Sequence, residues 1–458
     1  MIITRHLLGV LCILAVFLIN QSAFATNGYF PHGIGAKSKA MGGAGMANPE
    51  DAISIVMNPA VAVFLGDKMG IGISVFMPNR NVSSFGEGSK GENDTYTIGP
   101  LDIDSDSDLY ITPEVAQTRQ LKNNSAFAWA VYMRSGIATS YPGGSATFDP
   151  DGDGPLGVST LPGVYGENTT GMKLVQGFVD VTWAKMWGEE TSFGVSAVLA
   201  AQSVRAKGTG GLAKYTETFA ASDGSIFPDK LTGNRLDTNY GIGLKVGLHR
   251  QFGEHFSAGI MYQSEINVGS ANKYADLFAK GGDIDIPAWL RLGVSWSPVD
   301  VLTFNADLQK IFYSNIDALG NSFTNIYDCP TTGLGGTDLS SCLGGKNGPG
   351  FAWDDVGVYS VGASWDVSDK WTLRAGFGSS DQPTPGGENF FNILMVSLTE
   401  AHYTAGFSYR LKNGRELSFS FMYSEEESIK RPNQLDPNQN LLLTTDQFDF
   451  QVSYTWGN

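Results

Sequence analysis

The sequence predicts an all-β chain: a transmembrane antiparallel β-barrel of about 14 strands, plugged by an N-terminal hatch. Three observations lead there. Long stretches alternate strictly between large apolar and small or polar residues. The connections between them run short, long, short, long along the chain. Ahead of the first alternating stretch lie some forty residues that are rich in Gly and Ala yet carry too many apolar side chains for a solvated tail.

The chain opens with a leader. Arg5 and His6 form a basic start, Leu7 to Ile19 an apolar run, and Ala23-Phe24-Ala25 a small-x-small cleavage site. This is the pattern of a secretory signal peptide, and the run is shorter than the ~20 residues that a spanning helix needs. Residues 1–25 are therefore expected to be removed on export, leaving 26–66 as hatch and 67–458 as barrel.

The expected hatch reads TNGYFPHGIGAKSKAMGGAGMANPEDAISIVMNPA. Gly42 and Gly43 permit tight turns, and Pro59 interrupts regular helix after Asn58. Ile53, Ile55, Val56, Met57, Val61, Val63, Phe64 and Leu65 require a packed environment, which a barrel lumen provides.

Alternation then marks the strands. Met69, Ile71, Ile73, Val75 and Met77 face away from Gly70, Gly72 and Ser74. Tyr240, Ile242, Leu244, Val246 and Leu248 alternate with Gly241, Gly243, Lys245, Gly247 and His249. Val175, Val179, Val181 and Trp183 alternate with Gln176, Asp180 and Thr182, although Phe178 interrupts the polar row. The C-terminus reads Phe448, Phe450, Val452, Tyr454, Trp456 with polar residues between. Period two means strands with unlike faces. Their length, roughly 9–15 residues, suits a tilted bilayer crossing.

Short connections fall near Lys122, Gly188, Gly253, Pro298, Ser368 and Lys412. Long ones are expected near residues 82–108, 141–170, 207–237, 269–285, 314–352, 383–396 and 428–444. An even strand number puts both chain ends on the periplasmic side, and closure pairs every backbone group in lipid.

Composition agrees. Gly supplies 57 of 458 residues, aromatics 12%, and charged residues only 17%, with a net charge of −16. Acidity excludes nucleic acid, which needs a basic face. After export the chain keeps His32, His249, His255 and His402, none within a recognisable Ser motif, so no enzyme is expected. No cofactor and no metal are expected. The run DPDGDGPLG from Asp149 starts like a calcium loop, but its twelfth position is Thr160 rather than the bidentate Glu such a site requires. It and DIDSDSD at 102–108 read as acidic surface loops. Cys329 and Cys342 share one long loop in an exported chain, the setting of a disulfide.

The opening segment TNGYFPHGIGAKSKAMGGAG, with NPA at Asn58, Pro59 and Ala60, resembles the N-terminal hatch of the FadL/TodX family of outer-membrane channels for hydrophobic compounds. SGIATSY (135–141), YQSEINV (262–268), DIPAWLRLG (285–293) and WTLRAGFGSSDQPTP (371–385) extend the likeness along the barrel in order. The resemblance implies passive uptake of hydrophobic compounds, foremost long-chain fatty acids, with lateral exit through a kink in the third strand. Counted here as Ala126 to Ser140, that strand is interrupted at Arg134-Ser135-Gly136, the expected lateral gate. The family's N-terminus reaches into the pocket, which points to Tyr29, Phe30, Pro31 and His32 as substrate-lining. Inward cations, Arg374 and Arg410 among them, are candidates for a substrate carboxylate. The expected partners are a fatty acid or other hydrophobic small molecule and the surrounding outer-membrane lipid and lipopolysaccharide, for a monomer. The alternatives are an aromatic-hydrocarbon channel of the same fold and a general diffusion porin, whose lumen would be open and charged.

Overall fold

A computed structural model describes residues 27–150, 157–384 and 386–457. The leader and the acidic stretch Asp151 to Gly154 lie outside the described residues.

Fourteen antiparallel strands close into one barrel. They are β1 (Lys68–Phe85), β2 (Tyr110–Leu121), β3 (Ser125–Ala138), β4 (Gly171–Trp187), β5 (Thr191–Lys207), β6 (Asp237–Phe252) and β7 (Phe256–Gln263). After these come β8 (Trp289–Val299), β9 (Leu302–Ile311), β10 (Val356–Asp366), β11 (Trp371–Ser380), β12 (Ala401–Arg410), β13 (Glu416–Asn433) and β14 (Asp436–Gly457). Each strand pairs with its sequence neighbours, and β14 returns to β1 in unbroken register from Lys68↔Gly457 to Phe85↔Asn440.

The alternation read from the sequence becomes the two faces of the wall. Ile71, Ile73, Tyr240, Ile242, Leu244 and Leu248 are exposed, as lipid-facing side chains must be, while Ser74, Gln176, Asp180, Lys245 and Gln451 are buried on the lumen side. Outward rings gather beside the short turns: Trp187, the pair Phe252–Phe256 (5.7 Å), Trp296–Phe304 (5.8 Å) and Trp371–Tyr409 (4.7 Å). This is the aromatic girdle of a membrane interface.

The long connections fold over the opposite end. Thr97–Ile98, Ser145–Phe148 and Ser159–Pro162 form a small three-stranded sheet. Beneath it, Tyr96 stacks on Phe148 (4.4 Å), and Phe351 on Phe391 (4.7 Å). Cys329 and Cys342 form a buried disulfide, Cα atoms 4.8 Å apart, inside the connection between β9 and β10.

Two boundaries differ from the sequence reading. The loop expected near 428–444 is strand: β13 and β14 run past the bilayer and turn only at Gln434 and Leu435. Alternation continues there, since Ile429, Leu441 and Leu443 are all buried, and Asn389 Nδ2 donates to the carbonyls of Ile429 and Leu441 (2.9 Å each). Pro432 and the polar residues around it gave a turn signal that pairing overrides. The loop expected at 269–285 is longer, from 264 to 288, because β7 stops at Gln263.

Candidate functional site

Residues 27–65 lie inside the barrel, almost all of them buried. Their backbone, mostly irregular with short helical turns at Ala36–Lys39, Ala52–Val56 and Pro59–Phe64, leaves many peptide groups without local partners. The wall supplies them. Thr404 Oγ1 accepts from Gly42 N (2.7 Å), Asp307 accepts from Met46 N (3.1 Å), and Lys245 donates to Val56 O (2.9 Å). The Asn-Pro-Ala motif is a joint of this kind. Asn58 Oδ1 caps its helical turn by accepting from Ala60 N (3.0 Å), its Nδ2 donates to Leu248 O (3.0 Å), and Ser192 donates to Ala60 O (2.8 Å). Where the segment touches the wall most closely, side chains would not fit: a Cβ on Gly376 would stand 2.1 Å from the Met41 carbonyl carbon.

Charge fastens it further. Lys37 lies 2.5 Å from Glu416 and 3.6 Å from Glu50, and Glu50 also pairs with Arg374. Burial alone would depress Lys37, but Glu50 and Glu416 outweigh it and hold the ammonium above its usual pKa. Burial would likewise raise Glu50, but Arg374 and Lys37 keep it below the usual carboxylate value. Arg374 is thus engaged with the N-terminal segment and Ser408 (2.7 Å). Arg410 sits 42% exposed at the short-turn end, bound to Asp366 (2.8 Å) and Glu416 (3.7 Å). The structure does not bring either arginine to the ring cluster described next.

At the third strand the wall parts. β2 and β3 pair from Leu121↔Ser125 only as far as Glu114↔Tyr132, while β2 continues to Tyr110 against β1 and β3 to Ala138 against β4. At the parting point β3 bulges: Met133 faces Gly177 and Ser135 faces Gln176, leaving Arg134 as the extra residue. Backbone groups freed along the edge are taken from inside. Gly136 N donates to Tyr29 O (3.1 Å), and Tyr110 Oη and Arg80 both donate to Ala138 O (3.2 Å each).

The group reaching that edge is a tight turn, Asn27 to Phe30, with Asn27 N on Phe30 O (2.8 Å). Gly28 takes φ of 71° there, and a Cβ on it would meet the Tyr313 hydroxyl at 2.5 Å, so only glycine serves. Tyr313 Oη donates to Asn27 O (2.6 Å) and Ser397 to Gly28 O (2.6 Å). The Tyr29 ring meets Tyr313 (5.1 Å) and Trp353 (5.8 Å), and the Phe30 ring meets Trp289 edge-on (6.3 Å). Arg134, only 1% exposed, lies over Phe30 (4.3 Å), Phe178 (4.6 Å) and Trp289 (5.1 Å) and donates to Gln263 Oε1 (3.1 Å). Beside it, Asp180 is held by Lys245 (2.5 Å) and the Tyr132 hydroxyl (3.1 Å).

Pro31 lines a cavity of about 20 Å³ at the gap, with Gly33, Thr112, Pro113, Glu114, Met133 and Arg134. His32 stacks on His402 (5.7 Å). Burial, then Lys39 and His402, holds His32 well below the ordinary imidazole pKa. The structure therefore gathers Tyr29, Phe30, Pro31, Arg134 and Gly136 at one opening. Trp289, Tyr313, Trp353, Phe178 and Gln263 join them without having been singled out as site residues. Phe178 had a legible signal, as the one ring in an inward polar row.

The family model described as outer membrane protein transport protein (OMPP1/FadL/TodX) matches residues 179–454. A search of curated protein sequences gave no match. Among solved structures, the chain is similar to the toluene transporter TodX of Pseudomonas putida (14% identity, 93% of this chain and 99% of that one, TM-score 0.61). It is also similar to a FadL homologue of Pseudomonas aeruginosa (14%, 94% and 99%, TM-score 0.64) and to the toluene transporter TbuX of Ralstonia pickettii (18%, 93% and 98%, TM-score 0.56). At these identities the likeness speaks for the fold. With the family match spanning more than half its length, this chain belongs to the OMPP1/FadL/TodX family of outer-membrane transport proteins, as a multi-pass β-barrel of the bacterial outer membrane.

Proposed function

We propose that the protein is a passive channel for hydrophobic compounds, foremost long-chain fatty acids, and that they leave sideways into the membrane through the gap beside β3. The carrying observation is the parted β2–β3 pairing with the Tyr29–Phe30 turn lodged against it. An apolar solute gains little from periplasmic water and much from lipid, so an exit in the wall suits it better than an exit through the end. In this reading residues 26–66 are the hatch, and the 27–30 turn occupies the place that a ligand takes among Trp289, Tyr313 and Trp353.

Aromatic hydrocarbons are the second reading, favoured by the density of rings at the same place and by the toluene transporters among the structural neighbours. Uptake of labelled oleate and of toluene by cells with and without the protein separates the two. A general porin is tested by liposome swelling: rapid entry of sugars through the intact protein would overturn the plugged-channel reading.

A further inference from the structure

We propose that Arg134 is the anion receptor of this channel, making it selective for amphiphiles with a carboxylate head over neutral molecules of the same chain; this rests on the channel reading above.

A buried cation normally has an acid beside it, because removing a charge from water costs several kcal/mol that only a partner offsets. Four other lumen cations conform: Lys39 has Asp449, Lys245 has Asp180, Arg291 has Asp307 and Arg374 has Glu50, while Arg80, also without an acid, gives Nε and Nη1 to the carbonyls of Val396 (3.1 Å) and Ala138 (3.2 Å). Arg134 forms no ion pair among the described residues, and its Nε and Nη2 have no hydrogen-bond partner although the side chain is 1% exposed. The nearby acid, Asp180, is already taken on both sides by Lys245 and Tyr132. What covers Arg134 is ring surface, and the covering ring of Phe30 belongs to the turn that blocks the gap.

When that turn moves away, Arg134 loses one aromatic face and presents two unused donors to whatever takes its place. A guanidinium fork matches a carboxylate bidentately, while Phe178 and Trp289 remain to contact the first methylenes. The bulge makes this possible, since it carries Arg134 as the extra residue of β3 at the mouth of the gap, where its side chain also lines the small cavity beside Met133 and Glu114. Substrate and turn would thus compete for the same cation, so an anionic head favours the open state in a way that a neutral molecule does not.

The test compares laurate with methyl laurate, which share a chain and differ in charge. Uptake by a host lacking its own channels for hydrophobic compounds is measured with the protein, with R134Q and with R134K, after subtracting the empty host. Wild type should take up laurate about tenfold or more faster than the ester, the size of a charge-assisted hydrogen-bonded pair. R134Q should bring that ratio close to one, and R134K, which keeps the charge but not the fork, should fall between. No preference in wild type, or an undiminished ratio in R134Q, overturns the proposal. Competition against a bound fluorescent fatty acid on the purified wild-type protein decides without any variant, since equal competition by the two probes also overturns it. Entry of neither probe above the empty host would instead mark failure of the channel reading itself, and the proposal would fall with it.

Discussion

The amide of Gly136 donates to the carbonyl of Tyr29 across 3.1 Å, at a place where the third strand is paired with β4 but no longer with β2. A wall peptide that barrel closure would normally satisfy is thus satisfied by the N-terminal turn. The gap and the turn complete each other, and each can be altered separately.

Removing Ser135 should restore a regular ladder, because Arg134 could then face Gln176 directly after Met133↔Gly177. The barrel should assemble, as judged by heat-modifiable migration, while uptake of labelled oleate drops to the level of cells lacking the protein. Full uptake by a well-folded deletion would rule out the gap as the route.

Gly376→Val places atoms where Met41 and Gly42 now lie, with the first 2.1 Å from the Met41 carbonyl carbon. Overpacking of this kind costs about 1–3 kcal/mol. Because the clash is with the N-terminal segment and not the strand, the segment should undock while the barrel stands. Liposomes bearing the variant should swell in arabinose when wild type does not.

Glu50→Gln leaves Arg374 buried without its acid, whereas Lys37 retains Glu416 at 2.5 Å. Stranding one partner of a buried pair costs about 3–5 kcal/mol. Hydrogen exchange across residues 33–56 should accelerate strongly, and the double variant E50Q/R374Q should recover part of the protection. Equal protection in wild type and E50Q would contradict the role given to this pair.

His32 gives the docked segment a pH dependence. Its folded pKa is depressed by burial, Lys39 and His402, and neither ring nitrogen has a hydrogen-bond partner. A released imidazole titrates near its ordinary value of about 6.5. The docked state binds the proton less readily, so its stability is whole above that value and declines as pH falls below it. The protection factors of residues 27–40, taken relative to the unstructured chain at each pH, should therefore fall between about pH 6.5 and 5, and H32N should flatten the response. A pH-independent wild type would refute it.

The barrel was legible because its physics is local: an outward face in lipid and an inward face against polar groups leave period two in every strand. The last hairpin was misread for the same reason, since Pro432 and Asn433 look like a loop until the buried Ile429, Leu441 and Leu443 show that the alternation persists. The parted β2–β3 ladder was legible only as an interruption at Ser135-Gly136, because pairing depends on which strands come to lie side by side. Arg374 and Arg410 were the arginines singled out as inward cations, whereas Arg134 was read only as part of the gate. Only the placement of Glu50, Asp366 and Glu416 shows that the first two have acids in reach, and those acids lie 6 to 324 residues away in sequence.

Lys39 touches both ends of the closing seam: its ammonium donates to Ser74 of β1 (2.9 Å) and to Asp449 of β14 (2.9 Å), which are bonded to each other at 2.9 Å. During biogenesis this triad can form only after the first and last strands have met around the segment that carries the lysine. Docking of the segment therefore adds a buried cation to the joined seam, and each strengthens the other. A barrel that closes without its own N-terminus in place keeps the Ser74–Asp449 bond but lacks the cation that ties the segment to the seam.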